Sequence, residues 1–138
     1  MISVFDMFSV GIGPSSSHTV GPMNAAAEFV DELKRQQLIN RVTHLTTELF
    51  GSLGQTGKGH GSGMAVILGL LGERPETIDV DSIDTRLADI DTNESLHLGG
   101  EKSIYFPRTK AIVFHRRKTL PRHANAMSLH AFDGENLL

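Results

Sequence analysis

The side chains best suited to chemistry fall in three short stretches. The first, "GPSSSHTVGP" from Gly13 to Pro22, places three serines, a histidine and a threonine between Gly/Pro brackets, just ahead of an Ala-rich run. A helix N-terminus presents unpaired N–H groups and a partial positive charge. Ser15, Ser17, His18 and Thr19 would add donors there for a small carboxylate or phosphate. The plainer alternative is that Ser16, Ser17 or Thr19 simply caps the helix. Residue types alone leave both readings open.

The second stretch, "TGKGHGSG" from Thr56 to Gly63, alternates Lys58, His60 and Ser62 with glycines. Free histidine titrates near pH 6.5, so His60 has the chemistry of a general base; an exposed loop histidine is the alternative. The GxxxxGK[ST] phosphate pattern fails because Gly59 follows Lys58. The third stretch, "LPRHANAMSLH", carries His123, Asn125 and His130. His115, His123 and His130 follow one another at intervals of eight and seven residues. That is not the i, i+4 pair of a helical zinc site, and no HxH pair occurs, so no metal ligand is assigned. There is no GxSxG elbow and no acidic residue placed to complete a Ser-His-Asp triad.

Several elements must position these groups. "ISVFDMF" is apolar enough for a short buried strand or a helical turn. Pro22 suits the first turn of a helix over Met23 to Leu38, whose apolar stripe is Ala26, Phe29, Val30 and Leu33. "RVTHLTTELFGS" is rich in β-branched residues and predicts a strand closing at Gly51. Six glycines between Gly51 and Gly63 make a loop that empties into a buried helix, Met64 to Gly72. Residues 75–98 are acidic and predict a short strand followed by a helix. "SIYF", "AIVFH" and "MSLHAF" read as strands, the last followed by an Asp133-Gly134 hairpin signal. Only Glu135 to Leu138 follow, too few for a good returning strand, which predicts that the chain is a piece of something longer. The expected fold is α/β (α+β), a mixed sheet with helices, in one domain over residues 1–138.

Composition bounds the function. With 39% hydrophobic and 21% charged residues, the chain has an ordinary globular make-up. A net charge of −3 argues against a nucleic-acid partner, and the basic run "HRRKTLPRH" reads as a solvated loop. The longest apolar run, Met64 to Leu71, is too short for a bilayer and holds Gly69. No signal-peptide pattern leads the chain, so no membrane association and a cytoplasmic location are expected. There is no cysteine. Disulfides, thiolate nucleophiles and cysteine-held iron–sulfur clusters are thereby excluded within this chain.

Taken together, "SVFDMFSVGIGPSSSHTVGPM", "GSLGQTGKGHGSG" and "LPRHANAMSLHAF" resemble, in order and across essentially the whole chain, the β domain of iron–sulfur-dependent L-serine dehydratases. The single-chain bacterial form, with the β domain N-terminal, is the best match. The resemblance implies a fold similar to the allosteric substrate-binding domain of some D-3-phosphoglycerate dehydrogenases. It implies deamination of L-serine to pyruvate and ammonia, in amino-acid catabolism and gluconeogenesis. A [4Fe–4S] cluster would be held by cysteines of an α domain of the same enzyme, with no pyridoxal phosphate. The full protein would be a homodimer, and this segment alone would be inactive. His60 matches the position of the α-proton base. Ser15, Ser17, His18, Thr19 and Lys58 match substrate-holding loops, and His123 and Asn125 match a further cluster lining the cleft. One departure is plain: Ser62-Gly63 stand where family members often have Thr-Asp. The competing expectation is a regulatory domain that binds serine or another small anion without catalysis.

Overall fold

The computed structural model describes residues 4–6, 14–51, 61–115 and 125–138. The elements are β1 (Val4–Asp6), α1 (Pro14–Arg35), a 3-10 turn at Ile39–Arg41, β2 (His44–Gly51) and α2 (Ser62–Leu70). A second 3-10 turn at Val80–Ser82 leads to α3 (Ile83–Asn93), β3 (Ser95–Leu98), β4 (Lys102–Tyr105), α4 (Arg108–Ala111), β5 (Ile112–Phe114), β6 (Asn125–Asp133) and β7 (Asn136–Leu137). This is the mixed α+β architecture that the sequence predicts.

The main sheet has the order β1-β6-β2-β5, with β7 also on β6. β6 is antiparallel to both β1 and β2, whereas β5 is parallel to β2. β2 shows the period-2 alternation of a strand with one face covered. Leu45, Thr47 and Leu49 are buried on one face, together with Met127, Leu129 and Ala131 of β6. On the same core lies the stripe of α1 read from sequence: Ala26, Phe29, Val30 and Leu33 are each at most 2% exposed. Val66, Ile67 and Leu70 of α2 complete it. β3 and β4 form a separate antiparallel hairpin that supplies Leu96, Leu98 and Ile104 to that core.

α1 and α2 pack very closely because α2 carries Gly69. A Cβ on Gly69 would lie 2.3 Å from the Met23 carbonyl oxygen and 2.7 Å from Ala26 Cβ. Both helices end in the same way. At the end of α1, Leu38 N–H bonds to Leu33 O and Gln37 N–H to Lys34 O; at the end of α2, Glu73 N–H bonds to Leu68 O and Gly72 N–H to Gly69 O. These are Schellman closures, with Gln37 at φ 60° and Gly72 at φ 97° in the left-handed position.

Three expectations need correction. α1 begins at Pro14, not near Pro22, and Pro22 lies inside the helix. Pro14 fits the rule that a helix tolerates proline in its first turn; Pro22, in the interior, costs the backbone bond it would have given to the residue 18 carbonyl. Residues 75–82 hold no strand, only the 3-10 turn Val80–Ser82 at their end, and the strand of this region is Ser95–Leu98. Gly99 and Gly100, both at positive φ, turn it into β4. Finally, the four residues after Asp133-Gly134 do return, as the two-residue strand β7.

Candidate functional site

The strand register brings the three motifs to one end of the main sheet. Gly51, where β2 ends, pairs with Asn125, where β6 starts. Asp6, the last residue of β1, pairs with the adjacent Ala126. β5 runs parallel to β2, and His115 just beyond it donates its backbone N–H to Leu49 O at 2.9 Å. The described residues that precede "GPSSSHT", that precede "TGKGH" and that flank "LPRH" therefore lie side by side.

The helices point the same way. Gly99 donates its N–H to Leu70 O at the end of α2, and a Cβ on Gly99 would touch Val30 and Lys34 late in α1. The two C-terminal ends are thus neighbours. α1 also ends only eight residues before β2 starts, so its N-terminus lies toward the end where β2 finishes. Two parallel helices direct their positive ends and unpaired N–H groups to the sheet end that carries the motifs. At α2 the N-cap is Gly61, in the left-handed conformation with no side-chain cap bond, so its first amide donors are not taken up by a cap.

Ser15, Ser17, His18 and Thr19 lie within the first two turns of α1, not in a loop ahead of it. Asn125 opens β6. Lys58, His60 and His123 lie outside the described residues.

Ser62 and Gly63 prove to be the first turn of α2. A Cβ on Gly63 would come 3.2 Å from the Phe114 ring, so little room is left there. The Ser62 hydroxyl is fully buried, with no hydrogen-bond partner among the described residues. A buried polar atom without a partner costs roughly 1–3 kcal/mol and asks for an explanation. Sequence reading places Ser62 among the polar groups of this stretch, but its burial is visible only in the structure.

A second group missed from sequence lies on the sheet face opposite the helices. His115 Nε2 lies 2.8 Å from Glu48 Oε1, and the Ser128 hydroxyl donates to Glu48 Oε2 at 3.2 Å. The His115 ring stacks on Phe50, with centroids 4.6 Å apart. Burial by itself pushes the Glu48 carboxyl up. The hydrogen bonds from His115 and Ser128, with the charges of His115 and His130, outweigh it and hold the group below its ordinary value of 4.5. Sixty-seven residues separate Glu48 from His115, so no local pattern could signal the pair.

A shallow pocket of about 310 Å³ lies between α3 and the β3–β4 hairpin, lined by Arg86, Asp89, Asn93, His97 and Ser103 among others. None of the residues nominated from sequence lines it. Among the described residues, no three His, Asp or Glu side chains converge as metal ligands, and the chain has no cysteine. The residues present therefore do not fit an iron–sulfur cluster. Among the described residues no helix is long and apolar enough to cross a membrane.

Comparison with known proteins gives a consistent picture. A family model described as serine dehydratase beta chain matches residues 3–138. An L-serine dehydratase of Streptomyces coelicolor is 52% identical over 134 residues, covering 97% of this chain and 30% of that protein. L-serine dehydratase 1 of Escherichia coli is 48% identical over 139 residues, covering 100% of this chain and 30% of its own length. An L-serine dehydratase of Helicobacter pylori is 40% identical, covering 97% and 29%. The chain thus spans about 30% of the length of these curated relatives.

Proposed function

Because the chain belongs to the serine dehydratase beta chain family, we propose that it is the substrate-holding part of a cytoplasmic L-serine dehydratase. The observation that carries this reading is the convergence of β1, β2, β5 and β6 with the N-termini of α1 and α2 at one end of the sheet. All three motif segments leave the sheet there.

The reaction removes the α-proton and β-hydroxyl of L-serine, giving an aminoacrylate that tautomerises and hydrolyses to pyruvate and ammonia. In this proposal His60 accepts the α-proton, the role for which a neutral imidazole is suited near pH 7. The N-terminal turns of α1, which carry Ser15, Ser17, His18 and Thr19, bind the substrate carboxylate through amide and hydroxyl donors. Lys58, His123 and Asn125 complete the polar lining. A [4Fe–4S] cluster, without pyridoxal phosphate, belongs in this reading to a cysteine-bearing α domain outside this chain, with the whole protein a homodimer. The absence of cysteine here supports that division.

The test is His60→Ala in the complete enzyme with its cluster verified spectroscopically. Turnover of L-serine is expected to fall about 10²-fold or more. Turnover close to that of the parent, with the cluster intact, overturns the assignment of the base.

A further inference from the structure

The first amides of a helix find no partner within it. In α2 the ladder opens with Ala65 N–H bonded to Gly61 O at 2.9 Å, so the N–H groups of Ser62, Gly63 and Met64 lie ahead of it. Helices commonly meet this need with a side-chain cap, and Gly61 supplies none. An uncapped helix start is not a site by itself, but two further groups stand at this one. The Ser62 hydroxyl, on the first residue of the helix, is fully buried and has no hydrogen-bond partner among the described residues. Arg108 of α4 is the other. Cα–Cβ bonds tilt toward the N-terminus of a helix, and a Cβ built on Gly63 would stand 4.0 Å from Arg108 Nη2. The guanidinium therefore lies beside the open end of α2.

Arg108 is only loosely engaged elsewhere. Its Nη1 donates to Asp91 Oδ2 at 3.3 Å, its one hydrogen bond among the described residues. Both side chains are partly exposed, and such pairs contribute little. Backbone amides, a hydroxyl and a guanidinium nitrogen are all donors, and together they suit an anion. The Phe114 ring, 3.2 Å from the same Cβ position, closes one side of the space. A planar carboxylate fits beside that ring better than a tetrahedral phosphate. We propose that the start of α2, with the Ser62 hydroxyl and Arg108, is a binding site for a small carboxylate. The substrate's own carboxylate and a free carboxylic acid offer these donors the same chemistry. Attribution to the substrate rests on the L-serine dehydratase reading; the site itself does not.

Titration of the 138-residue chain with acetate tests the site. The backbone amide resonances of Ser62, Gly63 and Met64 are expected to move saturably, with inorganic phosphate binding more weakly. Arg108→Gln is expected to weaken acetate about 10-fold or more, and Ser62→Ala about 3-fold or more. In acetate-free buffer Ser62→Ala is expected to melt no lower than the parent, because its hydroxyl has no partner to lose; a lower Tm overturns the part given to Ser62. No saturable shift, equal affinity in the parent and Arg108→Gln, or tighter binding of phosphate overturns the proposal. Should Arg108→Gln not fold, Gly63→Asp carries the same arm. It brings a carboxylate of its own to Nη2 and is expected to abolish acetate binding; retained binding counts against the site. In the complete enzyme the two sources separate. If the substrate's carboxylate occupies the site, Arg108→Gln raises KM for L-serine about 10-fold or more with a smaller change in kcat, and acetate competes with L-serine. If a free acid occupies it, KM stays near that of the parent, and acetate binds enzyme saturated with L-serine. An enzyme that does not act on L-serine defeats the functional reading, and the acetate titration still decides the site.

Discussion

Replacing Gly69 with alanine tests whether the close approach of α1 and α2 is as tight as the coordinates say. Alanine is the better helix former, by about 1 kcal/mol in a helix interior. On that ground alone, Gly69→Ala would stabilise the protein. The packing opposes it. The added methyl would meet the Met23 carbonyl oxygen at 2.3 Å, Ala26 Cβ at 2.7 Å and the Ala27 nitrogen at 3.1 Å. Carbon atoms settle roughly 3.5–4.0 Å apart, so the helices must separate by about 1 Å. The obstructing atoms are backbone and a Cβ, which have no rotamer to escape into. Overpacking of this kind costs about 1–3 kcal/mol, sometimes more, and the upper part of that range applies. The net loss is then roughly 1–2 kcal/mol. For a chain of this size that lowers Tm by roughly 3–10 °C. Urea unfolding should show a lower midpoint with an unchanged slope. A Tm equal to or above that of the parent would refute the tight helix contact and, with it, the argument that α1 and α2 are held parallel at a fixed spacing.

Two further outcomes follow from the described geometry. Because the Glu48 carboxyl is held below its ordinary value of 4.5, it contributes stability that is present above the unfolded value and lost as pH falls through the lowered one. Parent and Glu48→Gln should therefore differ most in Tm near neutral pH and converge as pH falls through the lowered value; a gap that widens on acidification contradicts the assigned environment. In the complete enzyme, Ser17→Ala should raise KM for L-serine with a smaller change in kcat, as expected for the proposed hold on the substrate carboxylate. An unchanged KM would refute that role.

Sequence periodicity served well where a single element is amphipathic. The stripe Ala26, Phe29, Val30 and Leu33 is the buried side of α1, and the β-branched stretch from Arg41 holds the strand β2, which closes at Gly51 as expected. It failed where two local rules competed. Pro14 and Pro22 each satisfy the preference for proline at a helix start, and only the packed structure shows that the first one governs. That shift of eight residues turned a loop of hydroxyls into the opening turns of a helix. The Gly99-Gly100 turn was visible as glycine punctuation, yet the acidic run before it hid the strand Ser95–Leu98. The residue types of the candidate site were readable. Their meeting was not, because it depends on Gly51 pairing with Asn125 and Asp6 with Ala126, contacts that no window along the chain can contain.

The two Schellman closures give the domain a division of labour. At the end where α1 and α2 finish, the last carbonyls are tied off by Leu38, Gln37, Glu73 and Gly72, and Gly99 bridges to Leu70. At the opposite end α2 starts from a bare Gly61. The tied-off carbonyls and the end proposed to receive the substrate therefore occupy opposite poles of the same pair of helices. An engineer seeking a hardier enzyme should work at the sealed pole, where a substitution alters only how firmly the scaffold is shut. Filling the vacant N-cap of α2 would also add stability, but by occupying amide donors at the pole where the substrate is proposed to dock.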